Sequence, residues 1–506
     1  MNNLTGSMPV LNNNLDSPAT LRRLAKNLLK GRDLFVVSNR EPYIHNGLDS
    51  SGRPKVIQPA SGLVSALNPI LQASQGTWIA HGSGSLDSRF VDSHNKLEVP
   101  VGHPHYTLKR VWLSKRQLKG YYTGFANQGL WPLCHDTAVK PVFTATDWKY
   151  YRQANKLFCQ AVTAEITSLA PVIFIQDYHL ALLPKLIRAK HKTATIELFW
   201  HVPWASLEKF KQCKYGSQLL RGLLACDVVA FHLAEYSQDF MLAVSEIVGC
   251  KVDKKRGVVS FNGHDTYVRA YPIGVDSQSF STHSRHIAAR ATSLRTKLNL
   301  QNIKVAVSLE RADYIKGITE RLEAIDWFLA HYPAYHKKFV LFQVIAPSRI
   351  DIPIYRQLYQ DISIRIDAIN ARYSSGSWQP VIYDKQSQPH SVAKAILAMA
   401  DICIVSSLHD GMNLVAKEFV ATRFNNKGVL LLSRHAGASK DLPSAVMINP
   451  RNKIAFAKSI KAAVDMPMAE QQRRMRPMRK QVAENNIYTW ISTILSELIA
   501  IEKERQ

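Results

Sequence analysis

A chain of 506 residues, 46% hydrophobic and 20% charged, is too long for a single core and ordinary in composition for a globular protein, so about two to four domains are expected. Its formal charge of +25 admits nucleic acid, an anionic membrane surface or phosphorylated small molecules as partners. The cations are dispersed, and the denser runs Lys251 to Arg256 and Arg473 to Lys480 lack the interleaved aromatic residues of a single-strand groove, which makes nucleic acid a minor reading.

Residues 1–18 are polar and Asn-rich, without a signal-peptide core, and read as disordered. Residues 19–30 form a short basic amphipathic helix with Leu21, Leu24 and Leu28 on one side, expected to pack on its own domain rather than on a membrane. Folded structure begins at Asp33 with the strand LFVVSN, followed by Arg40, and TWIAHG from Thr77 to Gly82 is the next strand. Further on, PVIFIQ ends at Asp177-Tyr178-His179, TIELFW ends at His201 and DVVAFH ends at His232, each followed by a helical pattern. Such βα alternation predicts a parallel sheet covered by helices. After Pro272-Ile273-Gly274, a candidate hinge, the pattern restarts with IKVAVS, KFVLFQVI, PVIYD, DICIVSS, GVLLLS and AVMI as strands. The reading is therefore an N-terminal extension (1–30), a first α/β domain (31–274), a second (275–470), and C-terminal helices (471–506) crossing back to the first. Two doubly wound domains facing one another place a cleft between their strand ends, where ligands of such sheets bind.

No apolar run reaches the roughly 18 residues that span a bilayer. The six cysteines show no CxxC spacing, which fits reduced thiols in a cytoplasmic protein without a zinc site.

The stretch Asp401 to Val420 carries the strongest local signal. A buried strand leads through the tight turn His409-Asp410-Gly411-Met412 into a helix, so the amides near Asn413, Leu414 and Val415 make a candidate phosphate cradle. Asp410 and Glu418 flank it and suit sugar hydroxyls, which points to a sugar nucleotide. The plainer alternative makes Asp410 a helix cap and Glu418 a solvated residue. Arg311 and Lys316, in the loop ERADYIKG, are placed to neutralise a diphosphate leaving group, or are two surface cations. Arg40, Asp177, His179, His201 and Arg349 occupy similar strand-end positions; taken singly, His201 is also readable as a core histidine and Asp177 as a cap.

The order Ser38-Asn39-Arg40, Tyr122 through Asn127 to Leu130-Trp131-Pro132, Asp177-Tyr178-His179-Leu180, His201-Val202-Pro203, Arg311-Ala312-Asp313-Tyr314-Ile315-Lys316-Gly317 and Asp410-Gly411-Met412-Asn413-Leu414-Val415-Ala416-Lys417-Glu418 resembles the trehalose-6-phosphate synthase family over about residues 33–500. The resemblance implies a retaining glycosyltransferase of the GT-B fold that moves glucose from a nucleotide donor such as UDP-glucose to glucose-6-phosphate, without a metal ion or other cofactor. It assigns Arg311 and Lys316 to the donor diphosphate and Glu418 to the ribose. Asp410, with Gly411, Met412 and Asn413, is assigned to the transferred glucose, as is His201, and Asp177 to a place between donor and acceptor. Arg40, Tyr122, Trp131 and Arg349 are assigned to the acceptor. Two departures bear on detail. Ser61-Gly62-Leu63 stands where the family usually has Gly-Gly-Leu near the donor phosphates, and His81 stands where many members carry a tryptophan in the acceptor loop. A relative using glycerol-3-phosphate is the alternative reading, and an inactive binding protein a more distant one. Small-molecule substrates, no nucleic acid, no membrane insertion and room for a homo-oligomer complete the expectation.

Overall fold

The structure is a computed structural model that describes residues 17–505 apart from 49–51, 53, 60–61 and 101; of the stretch 1–18 expected to be disordered, residues 1–16 lie outside the described residues, as does the Ser61 departure, while Ser17 and Pro18 are ordered as the cap and first residue of a helix. The chain divides into two compact units, Met1–Ile273 with Ile487–Gln506, and Gly274–Asn486.

The first unit contributes strands β1 (Leu34–Ser38), β2 (Ile44–Leu48), β3 (Pro54–Ile57), β4 (Thr77–His81), β5 (Lys96–Val99), β6 (Tyr106–Val111), β7 (Val172–Gln176), β8 (Thr195–Phe199), β9 (Val228–Phe231), β10 (Lys251–Asp253), β11 (Val258–Phe261) and β12 (His264–Ala270). Ten of them form one sheet in the order β10-β11-β12-β9-β8-β7-β1-β4-β6-β5, and β2 pairs with β3 in a separate hairpin. The run from β12 to β6 is parallel, while β5 and the β10–β11 pair add antiparallel edges. Strands β1, β7 and β8 are buried at every position, as parallel strands covered on both faces must be. The strand order turns back at β1, between β7 on one side and β4 on the other, so loops after these strands splay apart and leave room for a ligand.

The helix Ile487–Arg505 returns to this unit and lies against β8. Trp490 packs edge-on against Phe199 and Phe174, and Glu497 pairs with Arg269 and Tyr271. Beneath it, Glu197 of β8 is fully buried and neither carboxylate oxygen has a hydrogen-bond partner among the described residues. Burial, reinforced by Glu497, holds its acid well above the usual carboxylate range. The short basic helix read near the N-terminus spans Pro18–Leu29, capped by Ser17, and buries Leu21, Ala25 and Leu29.

The second unit carries β13 (Lys304–Arg311), β14 (Phe339–Ala346), β15 (Val381–Asp384), β16 (Ile402–Val405), β17 (Val429–Ser433) and β18 (Val446–Ile448) in one all-parallel sheet. Its order is β15-β14-β13-β16-β17-β18, the doubly wound arrangement with its switch point between β13 and β16. The helix Met468–Glu484 stays with this unit. The six strands read from this part of the sequence all form, with boundaries within a residue or two except at the C-terminal end of β13.

Candidate active site

At the switch point of the second unit, the loop after β13 and the loop after β16 are held together. Leu408 N–H donates to the Ile315 carbonyl at 2.7 Å. Gly317, at φ +62°, lies so close to the other loop that a Cβ built on it sits 2.0 Å from the Ser406 carbonyl oxygen. Under this floor Arg321, fully buried, donates to Ser406 Oγ at 2.6 Å and Gln343 Oε1 at 3.0 Å and pairs with Glu310. Such a buried pair is costly to break from one side, about 3–5 kcal/mol, because the remaining charge has no water to turn to.

Two candidate residues meet directly on that floor: Lys316 Nζ donates to Asp410 Oδ2 at 2.6 Å. The same oxygen accepts from Ser407 Oγ and Asn413 Nδ2, each at 3.1 Å. Asp410 is therefore the hub of the turn and not its helix cap. The cap is Asn413, whose side chain accepts from Ala416 N–H at 3.2 Å while its own backbone stands at φ +86°. The helix Leu414–Ala421 then begins, with the Leu414 and Val415 amides in its first turn. Gly411 and Met412 are pinned from below by the loop after β17: Gly437 N–H donates to the Asp410 carbonyl and Ala438 N–H to that of Met412.

Arg311 stands at the end of β13, half-buried, and among the described residues makes no ion pair and no side-chain hydrogen bond. Lys316 is already partly neutralised by Asp410, so Arg311 is the more available cation for a diphosphate. Glu418, one turn into the helix, faces His390 at 3.5 Å. Arg349 belongs to this unit: Nη1 donates to Tyr355 Oη at 2.6 Å and lies 3.2 Å from the buried Asp313 carboxylate. Asp313 caps the turn Tyr314–Lys316, so Arg349 helps to aim Lys316.

In the first unit, Asp177 follows β7 with φ +74°, an uncommon value for an aspartate and one that persists only where surroundings enforce it. Its carboxylate accepts from Tyr178 N–H at 3.0 Å and His201 N–H at 3.3 Å, which locks the ends of β7 and β8 together. It does cap a turn, the short one at Tyr178–Leu180. The His201 ring stacks on Phe199 and its Nε2 lies 2.8 Å from Gln176 Oε1. Burial, with His232 nearby, depresses its pKa well below the usual histidine range, so the ring is neutral at pH 7. If Nε2 donates to Gln176, Nδ1 is left as an acceptor.

His179 stacks between Tyr178 and Tyr122, and Tyr122 rides on a π-helical segment, Lys119–Leu130, that places it over the strand ends. Trp131 follows that segment, buried against His135 and Tyr178. Ser38 Oγ accepts from Trp78 Nε1 at 2.8 Å and donates to the Arg40 carbonyl at 2.6 Å, so Arg40 is anchored through its backbone. His81, at the end of β4, has Nδ1 3.1 Å from the Val111 carbonyl; burial lowers its pKa and it is neutral at pH 7. Gly62 opens the helix Gly62–Ser74.

The candidates thus fall into two sets. Lys316, Asp410, Asn413, Arg311, Glu418 and Arg349 gather on the second unit. Asp177, His201, Tyr122, Trp131, Arg40 and His81 gather on the first. Sequence reasoning did not find Asp313, Tyr355, Arg321, Glu310 or Gln176, which position these groups; for Arg321 the only signal is a cation one turn beyond the glycine that follows Lys316. Among the described residues no group of three or more His, Cys, Asp or Glu side chains is placed to hold a metal ion, and no helix is long and apolar enough to cross a membrane.

Residues 32–500 match the family model of Glycosyltransferase family 20. Trehalose-6-phosphate synthase of Mycobacterium avium (strain 104) is 33% identical over 475 residues, spanning 92% of this chain and 95% of that protein. An alpha,alpha-trehalose-phosphate synthase (UDP-forming) from Burkholderia xenovorans, solved in complex with glucose-6-phosphate, superposes with a TM-score of 0.81 at 27% identity, covering 92% of this chain and 99% of that one. An E. coli structure bound with UDP-2-fluoro glucose superposes with a TM-score of 0.80 at 28% identity over the same shares.

Proposed function

The chain belongs to glycosyltransferase family 20, and we propose that it transfers glucose from UDP-glucose to glucose-6-phosphate, with retention of anomeric configuration, to form trehalose-6-phosphate. The observation that carries this reading is the switch point of the second unit. There a Lys316–Asp410 pair, an Arg311 without an ion pair among the described residues, and a capped helix N-terminus come together.

In the reaction the bond between the glucose anomeric carbon and the diphosphate oxygen breaks, a bond to the acceptor hydroxyl oxygen forms on the same face, and the proton of that hydroxyl leaves with the released nucleoside diphosphate. Negative charge grows on the departing diphosphate, so Arg311 and Lys316 stabilise the transition state more than the ground state. The first-turn amides at Leu414 and Val415 add donors of the same sign. Glu418 suits the ribose hydroxyls as an acceptor. Asp410 and Asn413 are already fixed by their own hydrogen bonds and accept or donate to glucose hydroxyls without reorganising. His201, neutral and aligned by Gln176, offers a hydrogen bond to the same sugar. Asp177, held by two amides, places a carboxylate beside the reacting hydroxyl.

On the acceptor side Arg40 and Arg349 serve the phosphate and Tyr122 and Trp131 the sugar. His81 shapes the pocket and carries no charge there, because its burial keeps it neutral. We further propose that no divalent ion is required, since Arg311 and Lys316 supply the cationic charge, and that the protein works in a reducing, cytoplasmic compartment, in keeping with six free, buried cysteines.

The test incubates the purified protein, with and without EDTA, with several nucleotide-glucose donors against glucose-6-phosphate and glycerol-3-phosphate, and identifies products by mass spectrometry. A disaccharide phosphate formed from UDP-glucose and glucose-6-phosphate, unaffected by EDTA, is expected. Transfer to glycerol-3-phosphate alone would reassign the acceptor, and no transfer to any phosphorylated acceptor would overturn the reading.

A further inference from the structure

A second buried polar cluster lies in the first unit, outside the residues considered so far. Arg110 of β6 has a side chain with no solvent exposure, and its guanidinium is used on every side. Nε donates to Glu41 Oε2 at 2.9 Å, Nη1 to the Asp87 carbonyl at 2.9 Å and Nη2 to the Tyr43 carbonyl at 3.0 Å. Nη2 also lies 2.9 Å from both Asp87 Oδ1 and His45 Nδ1. Glu41 and Asp87 each reach into the chain beyond. Glu41 Oε1 accepts from Ser83 N–H at 2.7 Å and Ser83 Oγ at 2.9 Å. Asp87 accepts from Gly84 N–H at 2.6 Å and His45 N–H at 2.8 Å.

The result is a clamp between two loops. One follows β1 and carries Arg40, whose neighbour is Glu41; the other follows β4 and begins directly after His81. The two segments also touch directly, Leu86 N–H donating to the His45 carbonyl at 3.0 Å, and Gly82 N–H extends the β4–β6 pairing to the Val111 carbonyl at 3.2 Å; Arg110 adds the side-chain tie between Glu41 of the first loop and Asp87 of the second. A buried ion cluster of this kind is expensive to assemble, and three apolar residues would fill the same volume at less cost. Its place in a loop pair flanking the proposed acceptor site suits a role beyond stability.

We propose that Arg110 is a positioning residue for the acceptor, acting with Glu41 and Asp87 to hold the Arg40 and His81 loops in the geometry that binds the sugar phosphate. This rests on the acceptor reading given above. The cluster is also built to respond to pH. Two carboxylates share one guanidinium; burial and the neighbouring Asp87 push the Glu41 acid up to about 7, while hydrogen bonds to Glu41, His45 and Gly84 hold the Asp87 acid below its usual range. The two histidines that interact with Asp87, His45 and His81, are both held toward the neutral form by burial, and His45 by the Arg110 charge as well. Below neutrality Glu41 is protonated and donates toward Asp87. Once it ionises, two anions face each other across Arg110 and the loop pair loosens.

The experiment measures KM for glucose-6-phosphate, KM for the nucleotide-glucose donor, and kcat between pH 6 and 8.5 for wild type, Arg110→Lys and Glu41→Gln. Lysine keeps the charge but cannot reproduce the five-donor fork. Arg110→Lys is therefore expected to raise the acceptor KM about fivefold or more, with the donor KM within about twofold. Glutamine at 41 copies the protonated acid, so the wild-type rise in acceptor KM with pH is expected to disappear in Glu41→Gln. The acceptor's own phosphate titrates identically for both proteins and cancels in their ratio. A smaller change of acceptor KM in Arg110→Lys, an equal loss on donor and acceptor, or identical pH profiles for Glu41→Gln and wild type would overturn the inference. If Arg110→Lys fails to fold, the Glu41→Gln profile decides alone. A wild-type protein that uses no sugar phosphate defeats the acceptor reading and this inference with it, whereas wild-type turnover with unshifted variants defeats this inference alone.

Discussion

Gly317→Ala tests whether the two loops at the switch point must touch for catalysis. The substitution has two separable costs. A left-handed backbone costs an alanine about 1–2 kcal/mol, and Gly317 sits at φ +62°. The added Cβ also meets the Ser406 carbonyl oxygen at 2.0 Å, so one loop must retreat by at least about 1 Å merely to relieve the overlap. Lys316 is the adjacent residue and its partner Asp410 lies on the other loop, so that retreat opens the Lys316–Asp410 pair. A displacement of about 1 Å at reacting groups costs on the order of a hundredfold in rate.

Gly376 supplies the control. It has the same φ of +62° in the same unit but nothing within 4 Å of its added Cβ, so Gly376→Ala carries the backbone cost without the clash. Steady-state kinetics and thermal melts on both variants are the assay. The expected result is a comparable small drop in Tm from backbone strain in both, with a further drop and about a hundredfold loss of kcat only in Gly317→Ala. Gly317→Ala turnover within about threefold of Gly376→Ala would refute the reasoning.

Two further predictions follow from groups in contrasting environments. Arg311→Ala is expected to lower kcat about a hundredfold or more while leaving Tm nearly unchanged, because Arg311 has no ion pair to lose among the described residues; unaltered kcat would remove it from the diphosphate site. Glu197→Gln tests the buried acid beneath the C-terminal helix. With the folded pKa raised above the unfolded value, wild type holds a proton that the unfolded chain releases above its usual glutamate range. Its stabilising contribution is thus complete below that range and falls by about 1.4 kcal/mol per pH unit as pH rises toward the folded pKa. Glutamine has no such slope, so the Tm of Glu197→Gln relative to wild type is expected to climb steadily between pH 5 and pH 6.5; a constant difference would show that Glu197 is ionised in the fold.

Much of the second unit is legible in the sequence because its determinants are local. Runs such as VLLLS and ICIV are apolar and rich in branched side chains over the length of a buried parallel strand, and the punctuation around Asp410-Gly411-Met412 marks where a strand gives way to a helix. The Ser17-capped helix and the long C-terminal helix are likewise written in their own periodicity. The π-helical segment at Lys119–Leu130 is less legible, since its i→i+5 bonding leaves a spacing that neither template fits. The β5–β6 pair and the β10–β12 meander were also not singled out, their strands being short or partly polar.

Tertiary structure decided the pairings. Lys316 and Asp410 are 94 residues apart, Arg349 and Asp313 are 36 apart, and Arg110 gathers Glu41 and Asp87 from loops on either side of β4. Even the helix cap, where Asn413 rather than Asp410 does the capping, depends on Lys316 drawing the Asp410 carboxylate toward the neighbouring loop. Periodicity reports which face of an element avoids water, a property of neighbouring residues. Which charged groups meet at a strand end depends on the order of strands in the sheet, and that order is set by burying the apolar faces of the whole unit with short, uncrossed connections.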